Sequence, residues 1–322
     1  MAENFGWRSI FWVAALVSVA GLLLLRGTPE SRAATRGEGR FDLPGVLAFM
    51  VAMLALQVWV IQGAAWGWAS PLSLTLVAVA AAAGVAFVVV ERRSAHAFFD
   101  FGLFRNRTYA GATLSNFLIN GAAGTLVVSL QLVQMGGGMD AQQAGLLTLG
   151  YAAAIICFIR VGEKLLQRFG PRRPMLWGCA ITALGIAFLL PTHLYLEQYR
   201  ALALVGFTLF GLGLAFYATP STDAALSNLP AAQCGAGAGI YKMASSLGAA
   251  FGVAISAAVF TGLASEGGVG WLETLLGYVG RQDNLALREA ASVALGCNLA
   301  MVLLAIIAIA VTIPKTTSAR PG

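Results

Sequence analysis

Apolar residues gather into nine long blocks, over residues 9–25, 44–62, 71–90, 108–133, 144–159, 175–191, 201–225, 239–263 and 291–313. Short connections rich in Arg, Gly and Pro separate them. A helix needs about 20 residues to cross the hydrocarbon core of a bilayer, which is close to the length of each block. A membrane barrel would instead need strands of about ten residues alternating polar and apolar positions, and the blocks do not alternate. Lipid supplies no hydrogen-bond partner, so a spanning backbone must pair with itself, as a helix does. The pattern therefore predicts an all-α integral membrane protein with about nine transmembrane helices.

Composition agrees. Of 322 residues, 58% are hydrophobic and only 11% charged, whereas a soluble domain carries about 25% charged residues to face water. The net charge of +6 does not point to nucleic acid, because the basic residues sit in connections with no interleaved aromatics. It reads instead as a topology signal. Arg26, Arg32, Arg36, Arg40, Arg92, Arg93, Arg105, Arg107, Arg160, Lys164, Arg168, Arg172, Arg173, Lys315 and Arg320 all fall in alternate connections or the tail. The other side holds only Arg8, Arg200, Arg281 and Arg288. This bias predicts a multi-pass protein of the inner (plasma) membrane, with its N-terminus outside and its C-terminus cytoplasmic. The first block lacks a basic leader and a small-residue cleavage site, so it reads as a span, with Trp7 and Trp12 as interfacial anchors. Residues 264–290 form the longest connection. Trp271, Leu272, Leu275, Leu276 and Val279 give it the spacing of a short interfacial helix.

Four separated cysteines and two histidines predict neither a metal centre nor a disulfide framework, and no cofactor is expected. A phosphate-binding GxxxxGK[ST] loop, a Ser–His pair and a carboxylate pair in the spans are all missing from the pattern, which argues against an enzyme.

The fourth block carries the most polar stripe. At 100° per residue, Tyr109, Thr113, Asn116, Asn120, Gln131 and Gln134 fall within an arc of about 60°. An unpaired amide in hydrocarbon is costly, so this stripe either lines a watery cavity or hydrogen-bonds between helices. Asp223 is the only acid expected near a span interior. It either couples to protons or pairs structurally with Lys242, at similar depth on the next helix. An unbroken helix would turn Asp223 away from Phe210, Tyr217 and Ser221, the expected cavity side. In the eighth block Tyr241, Ser245, Gly248, Gly252 and Ser256 share one face, a small-residue stripe for close helix packing. Asp140 with Gln143 three residues on has the capping-box pattern. Trp59, Trp66 and Trp68 read as an interfacial aromatic belt.

Several motifs taken together resemble a known family. Phe5-Gly6-Trp7-Arg8-Ser9-Ile10-Phe11-Trp12 is similar to the start of the sixth span in the fourteen-span drug:proton antiporters of the major facilitator superfamily. Leu103-Phe104-Arg105-Asn106-Arg107 resembles the segment before their ninth span. Gly235-Ala236-Gly237-Ala238-Gly239-Ile240-Tyr241-Lys242 resembles their Gly-rich penultimate span.

Residues 162–173 resemble the superfamily's basic gating loop through Arg168, Gly170 and Arg172, with Arg173 following. Gln167 stands at the acidic position and Pro171 where a basic residue is usual. The resemblance implies the C-terminal portion of a major facilitator transporter fold, spans six to fourteen, with the N-terminal half missing. Residues 1–43 would hold the sixth span and a cytoplasmic linker, 44–107 two central extra spans and a basic loop, 108–313 a six-helix repeat, and 314–322 a tail. It also implies proton-coupled efflux of small amphipathic or cationic drugs. Asn116, Asn120, Gln131 and Tyr217 would lie on the substrate path, with Asp223 and Lys242 as proton-coupling or ion-pair residues. The expected partners are the lipid bilayer, a drug, protons and the missing half. The alternative is a truncated, inactive or split half that needs a separate N-terminal part.

Overall fold

The computed structural model describes residues 8–25, 42–94, 99–230, 233–265, 267 and 283–315. Helix runs through all nine apolar blocks, and short turns interrupt two of them. Seven helical stretches are long and apolar enough to cross a membrane. The other two are α1 (Arg8–Leu25) and α8 (Arg172–Leu189), each of 18 residues. Residues 1–7, the connection bearing Arg26, Arg32, Arg36 and Arg40, His96, the expected interfacial helix around 271–279, Arg281 and Arg320 all lie outside the described residues. Taken by itself, α1 is a single helix with most side chains exposed. Its Ser18 hydroxyl donates to the Ala14 carbonyl at 2.8 Å, which satisfies that hydroxyl within the helix.

In the remaining unit, α2 (Leu43–Trp66) and α3 (Pro71–Arg93) form an antiparallel pair. Both begin with a side-chain cap followed by Pro in the first turn, where the missing N–H costs nothing. Asp42 accepts from Gly45 N at 3.1 Å and Ser70 from Ser73 N at 3.2 Å. Between the two helices the chain turns through Gly67, whose φ of +86° suits glycine. Trp59 and Trp68 meet edge to face at 5.2 Å near this turn. At the opposite, basic end of the pair, Phe87 packs on Phe99, Phe99 stacks on Phe104, and Phe104 meets Tyr109 of the next helix.

The following traverse is not one straight helix. It comprises α4 (Arg107–Gly121), α5 (Gly124–Gln131) and a π-helical turn, Leu132–Gly136. Between Asn120 and Thr125 the backbone switches to bonds three residues apart, Ala123 N to Asn120 O and Thr125 N to Ala122 O, each 3.0 Å. Gly121 and Gly124 flank this tightened turn. Asp140 then caps α6 (Ala141–Leu146), accepting from Gln143 N at 2.7 Å as the capping pattern predicts. After it come α7 (Leu149–Phe169), α8, α9 (Leu196–Leu226, with Pro220 inside), α10 (Cys234–Ser265) and α11 (Leu285–Thr312). The helix α9 packs against both α7 and α8; α4 lies between α10 and α11, and α11 also touches α8.

Backbone proximity holds these helices together. An added Cβ on Gly252 would lie 1.8 Å from the Gly121 carbonyl oxygen, and one on Gly248 would lie 2.1 Å from that of Phe117. The stripe read from the eighth block is thus the contact of α10 with α4. A second contact of this kind joins α8 to α9. Gly178 faces Gly213 and Gly185 faces Gly206, with added Cβ atoms 2.5–2.9 Å from the opposing carbonyl oxygens. Each helix repeats its glycine after seven residues, two helical turns, so the backbones touch twice. Such contacts suit a bilayer, where burying apolar side chains against one another gains nothing over lipid. Two clusters of larger side chains fill the remaining space. One, around Met175, Phe210, Tyr217 and Ile309, lies toward the basic end; the other, around Val128, Phe207, Phe260 and Leu295, lies toward the opposite end.

Gly252→Val should lower the thermal stability of the purified protein in detergent by about 1–3 kcal/mol, the usual cost of overpacking. Gly239→Ala, in the first half of the same helix with nothing within 4 Å of the new methyl, should leave stability unchanged or slightly raised. Equal loss in both variants would disprove the close α4–α10 contact.

Candidate functional site

The junction of α4, α9 and α10 holds a chain of hydroxyls. Tyr241 OH donates to Ser221 Oγ at 2.8 Å, and Ser221 Oγ donates to Tyr217 OH at 2.9 Å. Tyr217 OH and Ser115 Oγ lie 2.7 Å apart, and Ser115 Oγ donates to the Ala112 carbonyl at 3.0 Å. Since Ser115 spends its proton on Ala112, Tyr217 donates to Ser115. The relay then has one direction, from Tyr241 through Ser221, Tyr217 and Ser115 to Ala112, and each phenol or serine along it gives one bond. All four side chains are buried. Local chain geometry allows this: Tyr217 and Ser221 are one turn apart on α9, and the glycine contacts bring α10 close enough for Tyr241 to reach across.

Amides extend the junction. Asn116 Nδ2 donates to the Tyr241 carbonyl at 3.0 Å, and Asn120 Nδ2 donates to the carbonyl and Oδ1 of Asn116 at 2.8 and 2.9 Å. Tyr109 OH donates to the Gly237 carbonyl at 2.9 Å. The structure therefore brings together Asn116, Asn120 and Tyr217. Asn116 and Tyr217 are buried between helices, while Asn120 is half-buried. Gln131 stands apart, because the turn at 122–123 breaks the helical register that would have aligned it with Asn116. Its Oε1 is buried without a donor.

Asp223 and Lys242 are not joined. Asp223 is half-buried on the side of α9 away from Tyr217 and Ser221, and Lys242 is exposed on α10. Nor are Glu91 and Glu289 outside the helices, as the sequence reading had it. That reading took Asp223 for the only acid near a span interior, and the structure corrects it.

The reading of residues 162–173 as a loop also needs correction. The helix α7 continues to Phe169, since Gly162 packs against the α9 backbone with its added Cβ 2.4 Å from Ala215 O. Only Gly170 (φ +70°) and Pro171 form the turn. Arg172 donates to the Ala310 carbonyl at 2.7 Å near the end of α11. The guanidinium groups of Arg168 and Arg173 lie 5.2 and 5.9 Å from the Phe169 ring, within cation–π reach. With Pro314 and Lys315, this turn borders a pocket of about 200 Å³.

Sequence reasoning placed Arg288 in a loop and passed over Glu289. In the structure α11 starts at Leu285, and Arg288 and Glu289 are 4% and 2% exposed. Arg288 donates to Thr192 O at 2.6 Å, Gly136 O at 3.4 Å and Asp283 O at 3.0 Å. It thereby ties three connections at the end opposite the basic turns. The signal was available: residues 285–291 contain no Gly or Pro and favour helix throughout, but a search for apolar blocks stops at charged residues.

The model of the Major Facilitator Superfamily matches residues 1–253. The chain belongs to this superfamily. It is 44% identical over 260 residues to the quinolone resistance protein NorB of Staphylococcus aureus strain MRSA252, covering 81% of this chain and 56% of the relative. Against NorB of strain COL it is 39% identical over 315 residues, covering 98% of this chain and 64% of the relative. The chain thus spans about three-fifths of the length of the curated relatives it matches. It is a multi-pass membrane protein related to bacterial efflux pumps.

Tyr217→Phe should cost about 1 kcal/mol of stability, the scale of interhelical hydrogen bonds in membranes. In a double-mutant cycle it should couple to Ser115→Ala, because the two share a bond, and not to Asp223→Asn. Thermal unfolding in detergent reads both. Additive effects of Tyr217→Phe and Ser115→Ala would remove the relay.

Proposed function

We infer that this chain is part of a proton-driven exporter of small amphipathic or cationic drugs, with quinolones as the first class to test. The observation that carries this reading is the 39% identity to a quinolone resistance protein along 98% of the chain. The excess of Lys and Arg at the end bearing Arg92, Arg168, Arg172 and Lys315 supports a cytoplasmic position for that end and for the C-terminus. In this reading Asn120 offers an amide to the drug. Asn116 and Tyr217 hold it in place from behind. Gln131 gives a second acceptor further along the traverse. Asp223, half-buried and without an ion-pair partner among the described residues, takes up the coupling proton, and Lys242 sets the local field. Residues 168–173 act as a clamp on α11 that must loosen when the inner side opens.

A second reading has its own support. Transport by alternating access works around a site between two repeats, and the chain spans 56–64% of its relatives. On that reading, activity needs a first half supplied by other sequence.

The two readings separate in one experiment. An efflux-deficient bacterium would express this chain alone, or together with the first five spans of a relative, and be challenged with a fluoroquinolone. Resistance from the chain alone supports the first reading; resistance only with the added spans supports the second. Resistance in neither case, with the protein present in the membrane, rejects export. In the active combination, Asn120→Ala should weaken drug efflux roughly fivefold, the effect of losing one hydrogen bond of ~1 kcal/mol. Asp223→Asn should abolish the response of efflux to the pH gradient. Unchanged pH-dependent efflux in Asp223→Asn would remove its proton role.

A further inference from the structure

Two carboxyl groups meet at the basic end of the α2–α3 pair. Asp42, 9% exposed, precedes α2, and Glu91, 3% exposed, lies in the last turn of α3. One oxygen of each is already used. Asp42 Oδ1 accepts from Gly45 N, and Glu91 Oε1 accepts from Phe99 N. The other two, Asp42 Oδ2 and Glu91 Oε2, are buried and have no donor. They converge over the Cα of Gly45, where an added Cβ would lie 2.6 Å from Glu91 Oε2 and 2.7 Å from Asp42 Oδ2.

Two free acceptor oxygens that converge on one point need something positive near them, and neighbouring buried carboxylates are more stable sharing a proton than both ionised. The charged groups on the surrounding elements do not fill that role. Arg92, Arg93 and Arg105 are exposed, Asp100 caps the following turn, and Lys242 of α10 is exposed. Among the described residues no ion pair reaches Asp42 or Glu91. His96 lies outside the described residues. A metal ion of the Ca²⁺ or Mg²⁺ kind takes six or more oxygen ligands, while only two oxygens are free here. A proton needs just two.

We propose that Asp42 and Glu91 form a one-proton site. The proton is covalently held by one carboxyl and donated to the other, so the pair carries one negative charge in place of two. The hydrogen bond ties the start of α2 to the end of α3, and through Glu91 Oε1 to the backbone at Phe99. Release of the proton leaves two facing carboxylates that repel and loosen this tie. The proposal rests on the exporter reading only for its membrane setting, since proton binding here requires no drug.

Infrared spectroscopy of the purified chain in lipid nanodiscs tests it. At neutral pH the C=O stretch of a protonated carboxyl should be present and should disappear on titration to alkaline pH. Glu91→Gln and Asp42→Asn should each lose one protonated carboxyl per chain. Both amides keep the acceptor oxygen used by the backbone and donate N–H to the remaining carboxylate, so the fold is retained; circular dichroism checks this. Two variants guard against misfolding of either. Absence of the band at neutral pH, its survival in both variants, its loss on adding Na⁺ or Mg²⁺, or its appearance only in His96→Gln would each overturn the proposal. Loss of drug export in a separate assay, with the band unchanged, would count against the exporter reading and leave the proton site standing.

Discussion

A polar group in a span gains most from a partner within the protein, because lipid offers none. The structure meets this demand in two ways, sorted by position. On outer faces, the hydroxyls of Ser18, Thr75, Thr208, Thr222 and Thr261 fold back onto the carbonyl four residues earlier. In the interior, the hydroxyls of Ser115, Tyr217, Ser221 and Tyr241 bond across helices instead. The same residue types thus serve as self-satisfied groups or as interhelical links, although buried Thr182 also folds back, onto the Gly178 carbonyl.

Cross-helix bonds require helices close enough to make them, and here small residues decide. Glycines on α10 let α4 approach until carbonyl oxygens press against Cα atoms. Asn116 can then reach the Tyr241 carbonyl, and Tyr241 can reach Ser221. Replacing the glycines by larger apolar residues would keep every span hydrophobic and still take the polar junction apart. Packing and hydrogen bonding are therefore one constraint in this region.

Much of the fold was legible because span length and apolar blocks are coarse signals. All nine blocks are helical, the Asp140 cap is where its spacing put it, and the Tyr241–Ser256 stripe is a contact face. Features that depend on a change of backbone geometry were not legible. Periodicity assumes an unbroken helix, so Gln131 was aligned with Asn116 across a turn at 122–123 that shifts it away. Charged residues were read as boundaries, so Arg288 and Glu289 were left outside a helix that buries them. The Gly178–Gly213 and Gly185–Gly206 contacts span two helices, and a one-helix stripe does not reveal a reciprocal pair. Asp42 and Glu91, separated by two whole helices in sequence, come together only through the α2–α3 turn.

The reciprocal glycines of α8 and α9 also limit how this half of the protein can deform. Each helix has two notches at matching intervals, so a slide by one residue would drive side chains into the opposing backbone at both. These helices must travel together as a single plank. The tightened turn between α4 and α5 is seated on α10 in a comparable way, since Gly121 and Gly124 on its two sides both meet Gly252, so a bend placed there has to carry α10 along with it.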